Sequence, residues 1–347
     1  MPRAWLLVST CVAMACASPA TATRDADAAP DVAPDVVPDV SPDAAPDAAP
    51  DAPSRDAAAS GWRTEPRLPA VWQEIAGDVI DGRLWVIGGF EGGRPSDAVR
   101  VFDPAVGRWE DGPRLPARLH HMAAVAVDGD LYALGGYLDF SFTPVSQCYV
   151  LRRGATAWAT IRALPEPRGA ATAGVIGGRV VVAGGYGTSQ RLLGPVAIYD
   201  PPTDTWTAGS ALPTPREHLA SIVHDGRLWV FGGRRGGLDS VLAAVEAYDP
   251  AADAWRSDLP PMPLPRGGFA AARLGGTVYV LGGERSDGVH TEVDALDLAT
   301  LTWRPAPPLP TARHGFVALA AAGRVWAIGG ADRPTFAPVD VVESYGP

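Results

Sequence analysis

Groups able to move protons or hold ligands gather at a few places in this 347-residue chain. Four of its six histidines, His120, His121, His218 and His314, stand with Glu74 and Glu217 either fifteen or fourteen residues before a Gly-Gly pair. Histidine titrates near neutral pH and ligates metals, and a neighbouring carboxylate orients it or exchanges protons with it. One residue earlier, sixteen before the pair, arginine stands four times, as Arg168, Arg216, Arg266 and Arg313. Its planar fork grips carboxylates bidentately. Brought to one place, these groups would make an acid–base or metal constellation, or a site for an acidic peptide or sugar acid. The competing expectation is structural: arginine and histidine at loop positions satisfying strand-end carbonyls.

The elements that must position them repeat. The run Asp225-Gly-Arg-Leu-Trp-Val-Phe-Gly232-Gly233 has five counterparts, ending at Gly89, Gly136, Gly185, Gly283 and Gly330. Each is a turn, a short run of β-branched and aromatic residues, and the glycine pair, which reads as a buried strand. The pairs recur every 47 to 50 residues. A period of that length marks a repeat architecture whose units bury their faces against each other. A tryptophan precedes each pair by 26 or 27 residues: Trp62, Trp109, Trp158, Trp206, Trp255 and Trp303. Asp-Pro turns at Asp103, Asp200 and Asp249 fall shortly before three of them.

Doublet, Asp-Pro turn and tryptophan recurring in order resemble the kelch family, of which the central domain of galactose oxidase is one form. The resemblance covers residues 61–347 and implies an all-β, six-bladed propeller with four strands per blade. Departures exist: the fifth repeat reads Leu296-Asp297-Leu298, and the second has no Asp-Pro. In the second repeat the four strands are expected near His120 to Val127, Asp130 to Gly136, Ser146 to Leu151 and Ala157 to Ile161. The family places the first strand on the central channel and the fourth outside. Trp62 has no doublet before it, and no tryptophan follows Tyr345. The N-terminal strand is therefore expected to complete the last blade and close the ring, which removes unpaired sheet edges.

The resemblance also says where a ligand would sit: over the channel mouth. The candidate ligand-binding residues are Glu74, His120, His121, Arg168, Glu217, His218, Arg266, Arg313 and His314. The arginine ring is broken in the first two repeats by Trp72 and Leu119. The residues after each doublet, among them Phe90, Tyr137 to Phe142, Tyr186 to Arg191, Arg234 and Glu284, face the same mouth. Three functions compete. One is a binding or scaffold module for a protein or a glycan. Another is a carbohydrate epimerase or mutarotase similar to the kelch-type sialic acid epimerases, with Glu74, Glu217 and His218 as acid–base groups. A copper oxidase similar to galactose oxidase would need a Tyr–Cys crosslink. Cys148 and Tyr149 are adjacent, on a third strand away from the mouth, and adjacent strand residues face opposite sides. The expectation is a binding module with no assigned catalytic residue, no cofactor and no metal.

All 29 basic residues are arginine, and there is neither lysine nor asparagine. This excludes a catalytic lysine and Asn-linked glycosylation. The net charge of −10, with no basic run, argues against nucleic acid. Residues 1–15 read as a signal peptide, with Arg3 before an apolar run too short to span a bilayer. Ala13-Met-Ala-Cys16 resembles a bacterial lipobox, so Cys16 is the expected lipidated N-terminus and the outer membrane the expected location. Cys11 is the poorer candidate. Residues 16–60 are rich in Pro, Asp and Ala and are expected to form a disordered, extended linker. The propeller is expected to be a monomer that meets the membrane through the anchor only.

Overall fold

The computed structural model describes residues 61–347. The signal peptide, the lipidation site Cys16 and the linker expected from sequence lie outside the described residues. The described chain forms six four-stranded antiparallel sheets. Blades I to V each run outward through four strands in chain order. Blade I is Ala76–Ile80, Arg83–Ile87, Val99–Asp103 and Arg108–Asp111. Blade II is Ala123–Val127, Asp130–Leu134, Cys148–Leu151 and Ala159–Ile161, within the four segments expected. Blades III, IV and V begin at Thr172–Ile176, Ala220–His224 and Ala270–Leu274. Blade VI is Val317–Ala321, Arg324–Ile328 and Val342–Gly346, completed by the N-terminal strand Gly61–Thr64. Trp62 pairs there with Tyr345.

The first strand of each blade touches the first strands of both neighbours, blade VI against blade I included, so the ring is closed. These six strands line an axial channel of about 500 Å³. Successive strand residues point to opposite blade faces. Accordingly, the apolar runs divide into six buried clusters, one at each blade–blade interface. Cys148 lies in the cluster between blades II and III, whereas Tyr149 lies in that between I and II. The pair is thus split across one blade and remote from any common site, as the alternation predicts.

The outer tryptophans tie the interfaces. Each indole N–H donates to a backbone carbonyl at the end of the fourth strand of the preceding blade or just beyond it: Trp62 to Pro307, Trp109 to Pro66, Trp158 to Pro113, Trp206 to Arg162, Trp255 to Ser210 and Trp303 to Pro260, at 2.8–3.2 Å. An aromatic ring that buries its body and satisfies its N–H supplies apolar area without a desolvation penalty.

The glycine pairs lock the inner end. In each pair the second N–H donates to the carbonyl sixteen residues before the next doublet, Gly89 to Leu119 and Gly330 to Trp72 among them, both at 2.7 Å. A Cβ on Gly330 would stand 2.6 Å from the His314 carbonyl, and both glycines of this pair have positive φ. Any side chain there would push away the loop that carries the candidate residues.

Candidate functional site

The fourteen-before positions form a collar around the channel mouth. His121 N–H donates to Glu74 O, Ala170 to His121, His218 to Ala170, Gly268 to His218, Gly315 to Gly268, and Glu74 to Gly315. These six backbone hydrogen bonds, 2.6–3.2 Å long, close a circle. Every member has a left-handed backbone, with φ between 50° and 62°. Glu74, Ala170, His121 and His218 hold that conformation without being glycine, which costs of order 1 kcal/mol each. At the sixth position the Glu74 carboxylate occupies the space a Cβ on Gly315 would need, so a side chain there would displace that carboxylate.

Outside the collar lies a second cavity of about 600 Å³, sharing no lining residue with the channel. Its floor is polar and its wall aromatic. The floor carries Glu74, His121, Glu217, His218, Arg234, Glu284 and His314. The wall is built from Phe90, Tyr137, Phe140, Phe142, Tyr186 and Phe336. Phe140 stacks on Phe90 at 5.4 Å between ring centroids, and Phe336 meets Phe90 edge-on at 4.7 Å. Phe140 and Phe336 are 56% and 43% exposed, so part of the wall is open to whatever enters.

Nearly every polar group of the floor has a partner. His121 Nε2 lies 3.1 Å from Glu74 Oε2. His218 Nδ1 contacts Glu217 Oε2, and Arg234 Nε donates to Glu217 Oε1 at 3.0 Å. Arg234 Nη1 continues to Glu284 Oε1 at 2.6 Å. Glu217 is 1% exposed with both oxygens engaged, so it orients His218 and holds Arg234. His120 lies behind Phe90, its Nδ1 2.7 Å from His121 Nδ1 and its Nε2 3.1 Å from the Asp139 carbonyl. Burial drives the histidines toward the neutral form, His120 down to about 4 and His121 to about 3. His218 falls well below its ordinary value for the same reason, with Arg234 adding to the effect.

The fold therefore brings Glu74, His121, Glu217, His218 and His314 together, with His120 behind them. Arg168, Arg266 and Arg313 do not join them. They are 4%, 2% and 0% exposed and turn into the blades. Arg168 donates to the carbonyls of Gly184 and Pro195, Arg266 to those of Gly282 and Glu292, and Arg313 to those of Gly329 and Val341. Arg266 and Arg313 also pair with Asp294 and Glu343 on the third strands, as Arg216 does with Glu246. Their place among the ligand-binding candidates is corrected: each is buried because each carries the carbonyl of a doublet glycine. Burial lowers Arg168 and Arg313 to about 10. The site's cation is instead Arg234. Arg234, Glu284, Tyr137, Tyr186 and Phe90 all stand directly after a doublet, and that offset was the signal for them. Phe336 comes from the corresponding loop of blade VI, six residues past Gly330 as Phe142 is six past Gly136.

The family described as the KLHDC2/KLHL20/DRC7 Kelch-repeats domain matches residues 79–260 and again 121–330. This chain belongs to the kelch-repeat family. Among kelch proteins it is similar to Kelch-like protein terF of Aspergillus terreus, 30% identical over 42% of this chain and 34% of that protein. It is also similar to Beta-scruin of Limulus polyphemus, 31% identical over 37% of this chain and 14% of that one. The human Kelch repeat and BTB domain-containing protein 13 is 34% identical over 38% of this chain and 29% of its own length. The chain thus spans about a third or less of these relatives. The solved structure of YjhT superposes with a TM-score of 0.70 at 15% identity, covering 81% of this kelch chain and 95% of that one. At that identity the likeness concerns the fold.

Proposed function

We propose that this protein is an exported binding module, anchored by lipid at Cys16, whose kelch propeller presents its mouth pocket to a glycan. One observation carries the reading: partly exposed aromatic rings stand over a floor of buried carboxylates and imidazoles in one concave pocket. Ligand sites are mostly apolar hollows with a few convergent polar groups. A sugar residue matches that division, since its C–H face lies against aromatic rings while its hydroxyls exchange hydrogen bonds with carboxylates. A pocket of about 600 Å³ takes one or two sugar rings, and the flat face of a folded protein would not reach the floor.

The test is a glycan array followed by saturation-transfer NMR on the hits. Phe140→Ala and Phe336→Ala should each weaken binding about tenfold, in keeping with the loss of one apolar ring contact, without moving the melting temperature. Failure to retain any glycan, or wild-type affinity in the double variant, overturns the reading. A second reading, sugar epimerisation or mutarotation, is favoured by the Glu74–His121 pair at the pocket floor. Anomer exchange followed by NMR would then be accelerated by the protein and lost in Glu74→Gln.

A further inference from the structure

We infer that Glu74, His121 and His218 form a binding site for one divalent transition-metal ion at the floor of the mouth pocket. Their ligand atoms all lie within 4.8 Å of one another. The proposal goes beyond the glycan reading, although the two share a pocket.

The hydrogen-bond network fixes which nitrogen of each ring is free. The Asp139 carbonyl can only accept, so His120 Nε2 carries the proton donated to it. His120 Nδ1 is then an acceptor, and His121 Nδ1, 2.7 Å away, must be its donor. That leaves the lone pair of His121 Nε2 facing Glu74 Oε2 at 3.1 Å, acceptor against acceptor. His218 follows the same logic: Nδ1–H donates to the Glu217 carboxylate, so Nε2 is the free nitrogen. Metal-ligating histidines characteristically donate their other N–H to a carboxylate or another fixed acceptor, which sets the tautomer and raises ligand basicity. Here Glu217 does this for His218, and the Asp139–His120 relay does it for His121.

Two further observations point to a cation. His314 is 2% exposed and lines the same floor. Its Nε2 donates to the Arg333 carbonyl, which turns Nδ1 back toward the floor carboxylates. That Nδ1 has no hydrogen-bond partner and lies 3.6 Å from Glu74 Oε1 and 3.5 Å from Glu284 Oε2. The second observation is the charge of the floor. Three carboxylates, Glu74, Glu217 and Glu284, face one guanidinium, Arg234, which is already paired with two of them. Three carboxylates thus converge on a single guanidinium, and a divalent ion would supply positive charge to that floor. Charge left unpaired at such depth is costly. Two imidazoles and one carboxylate suit zinc or ferrous iron rather than calcium or magnesium, which prefer all-oxygen shells. Three protein ligands leave coordination positions open toward the pocket, where an oxygen of a bound ligand would reach the ion.

The test uses the full chain purified without a polyhistidine tag. Elemental analysis should find about one zinc or iron per chain. After chelation, cobalt(II) should restore visible ligand-field bands that zinc(II) quenches. Glu74→Gln, His121→Gln and His218→Gln should remove both the bound metal and the bands. Glu217→Gln, which replaces the charged acceptor of His218 with an amide and breaks the ion pair with Arg234, should weaken metal affinity about 10–100-fold. His224→Gln, at the far end of its blade's first strand and outside the pocket lining, should behave as wild type. Wild-type protein with no metal and no cobalt bands overturns the site, as does unchanged binding in the three ligand variants. A protonated Glu74 carboxyl seen by infrared spectroscopy in metal-free-as-purified protein would overturn it too, by showing that a proton separates the two acceptors. Phe140→Ala is assayed for glycan on metal-loaded protein, so failure of the glycan reading leaves the metal count unaffected.

Discussion

Three buried histidines make the stability of this propeller depend on pH. His120, His121 and His218 are neutral in the fold because burial penalises the imidazolium. In the unfolded chain each takes a proton near the ordinary value of about 6.5. Below that pH the unfolded state binds more protons than the native one, so stability is complete above it and falls as the pH drops. The window runs from about 6.5 down to about 4 for His120 and about 3 for His121. Each histidine contributes a slope of at most about 1.4 kcal/mol per pH unit. Urea unfolding at pH 7 and pH 5, with chelator present to remove any metal contribution, should show the loss. His121→Gln should flatten it, and an equal slope in that variant refutes the assignment. These histidines were legible in the sequence because they stand fourteen or fifteen residues before the doublets. The arginines shared an offset, yet offset locates a backbone and not the direction of a side chain. Arg313 leaves its loop inward because the Gly329 carbonyl and Glu343 lie there, and neither contact has a signature in sequence. Phe336 was passed over although it stands six residues past its doublet, as Phe142 does; it meets Phe90 of the neighbouring blade I.

At the scale of the element, the fourth strand of blade VI decides whether the ring closes. The spacing of Trp62 to its doublet identified that strand, since a repeat with a tryptophan and no preceding doublet has to borrow its partners from the other end. In the structure Trp62 pairs with Tyr345, packs against its ring in a tilted arrangement at 5.3 Å and donates to Pro307. The next segment continues the seal, with Glu65 N–H donating to Val342 O and Leu68 N–H to Asp340 O. Removing residues 61–66 should cost at least the ~3–5 kcal/mol of a lost buried aromatic and expose the edge of Val342–Gly346. Calorimetry and light scattering would show a lower melting temperature or aggregation; normal melting would refute the closure. A second element-scale device is the arginine that ties a loop to the third strand. Arg216 and Glu246 are both nearly fully buried, so Arg216→Leu strands a carboxylate and should cost about 3–5 kcal/mol. Pairing this change with Glu246→Leu should recover much of the loss, measurable as a double-mutant cycle in urea. Additive losses would mean that the pair is not coupled. Ligand binding at the mouth should survive in the double variant, because neither residue lines the pocket.

For the whole molecule, charge and composition separate two regions with different work. Residues 1–60 hold nine Asp and three Arg, a net −6, while the propeller carries only −4. A binding pocket on a closed ring needs no further domain to be presented, only a tether, and the Pro-Asp run following Cys16 has the composition of one. We predict that Cys16 is the acylated N-terminus of the mature protein. Several acyl chains together give firm attachment, because each buried methylene adds about 0.8 kcal/mol. Fatty-acid probes fed to expressing cells should label the wild type and not Cys16→Ser, and the variant should leave the membrane fraction. The absence of lysine gives an independent reading of the same event. With every one of the 29 basic residues an arginine, the only primary amine this chain can offer is its α-amine. A fully acylated Cys16 has none, so amine-reactive dyes should pass over membrane-derived wild-type protein and mark the Cys16→Ser variant once. Equal fatty-acid incorporation into both proteins would place the acylation elsewhere, and a single amine label on a wild type that carries no lipid would show that an ordinary signal cleavage releases the propeller instead.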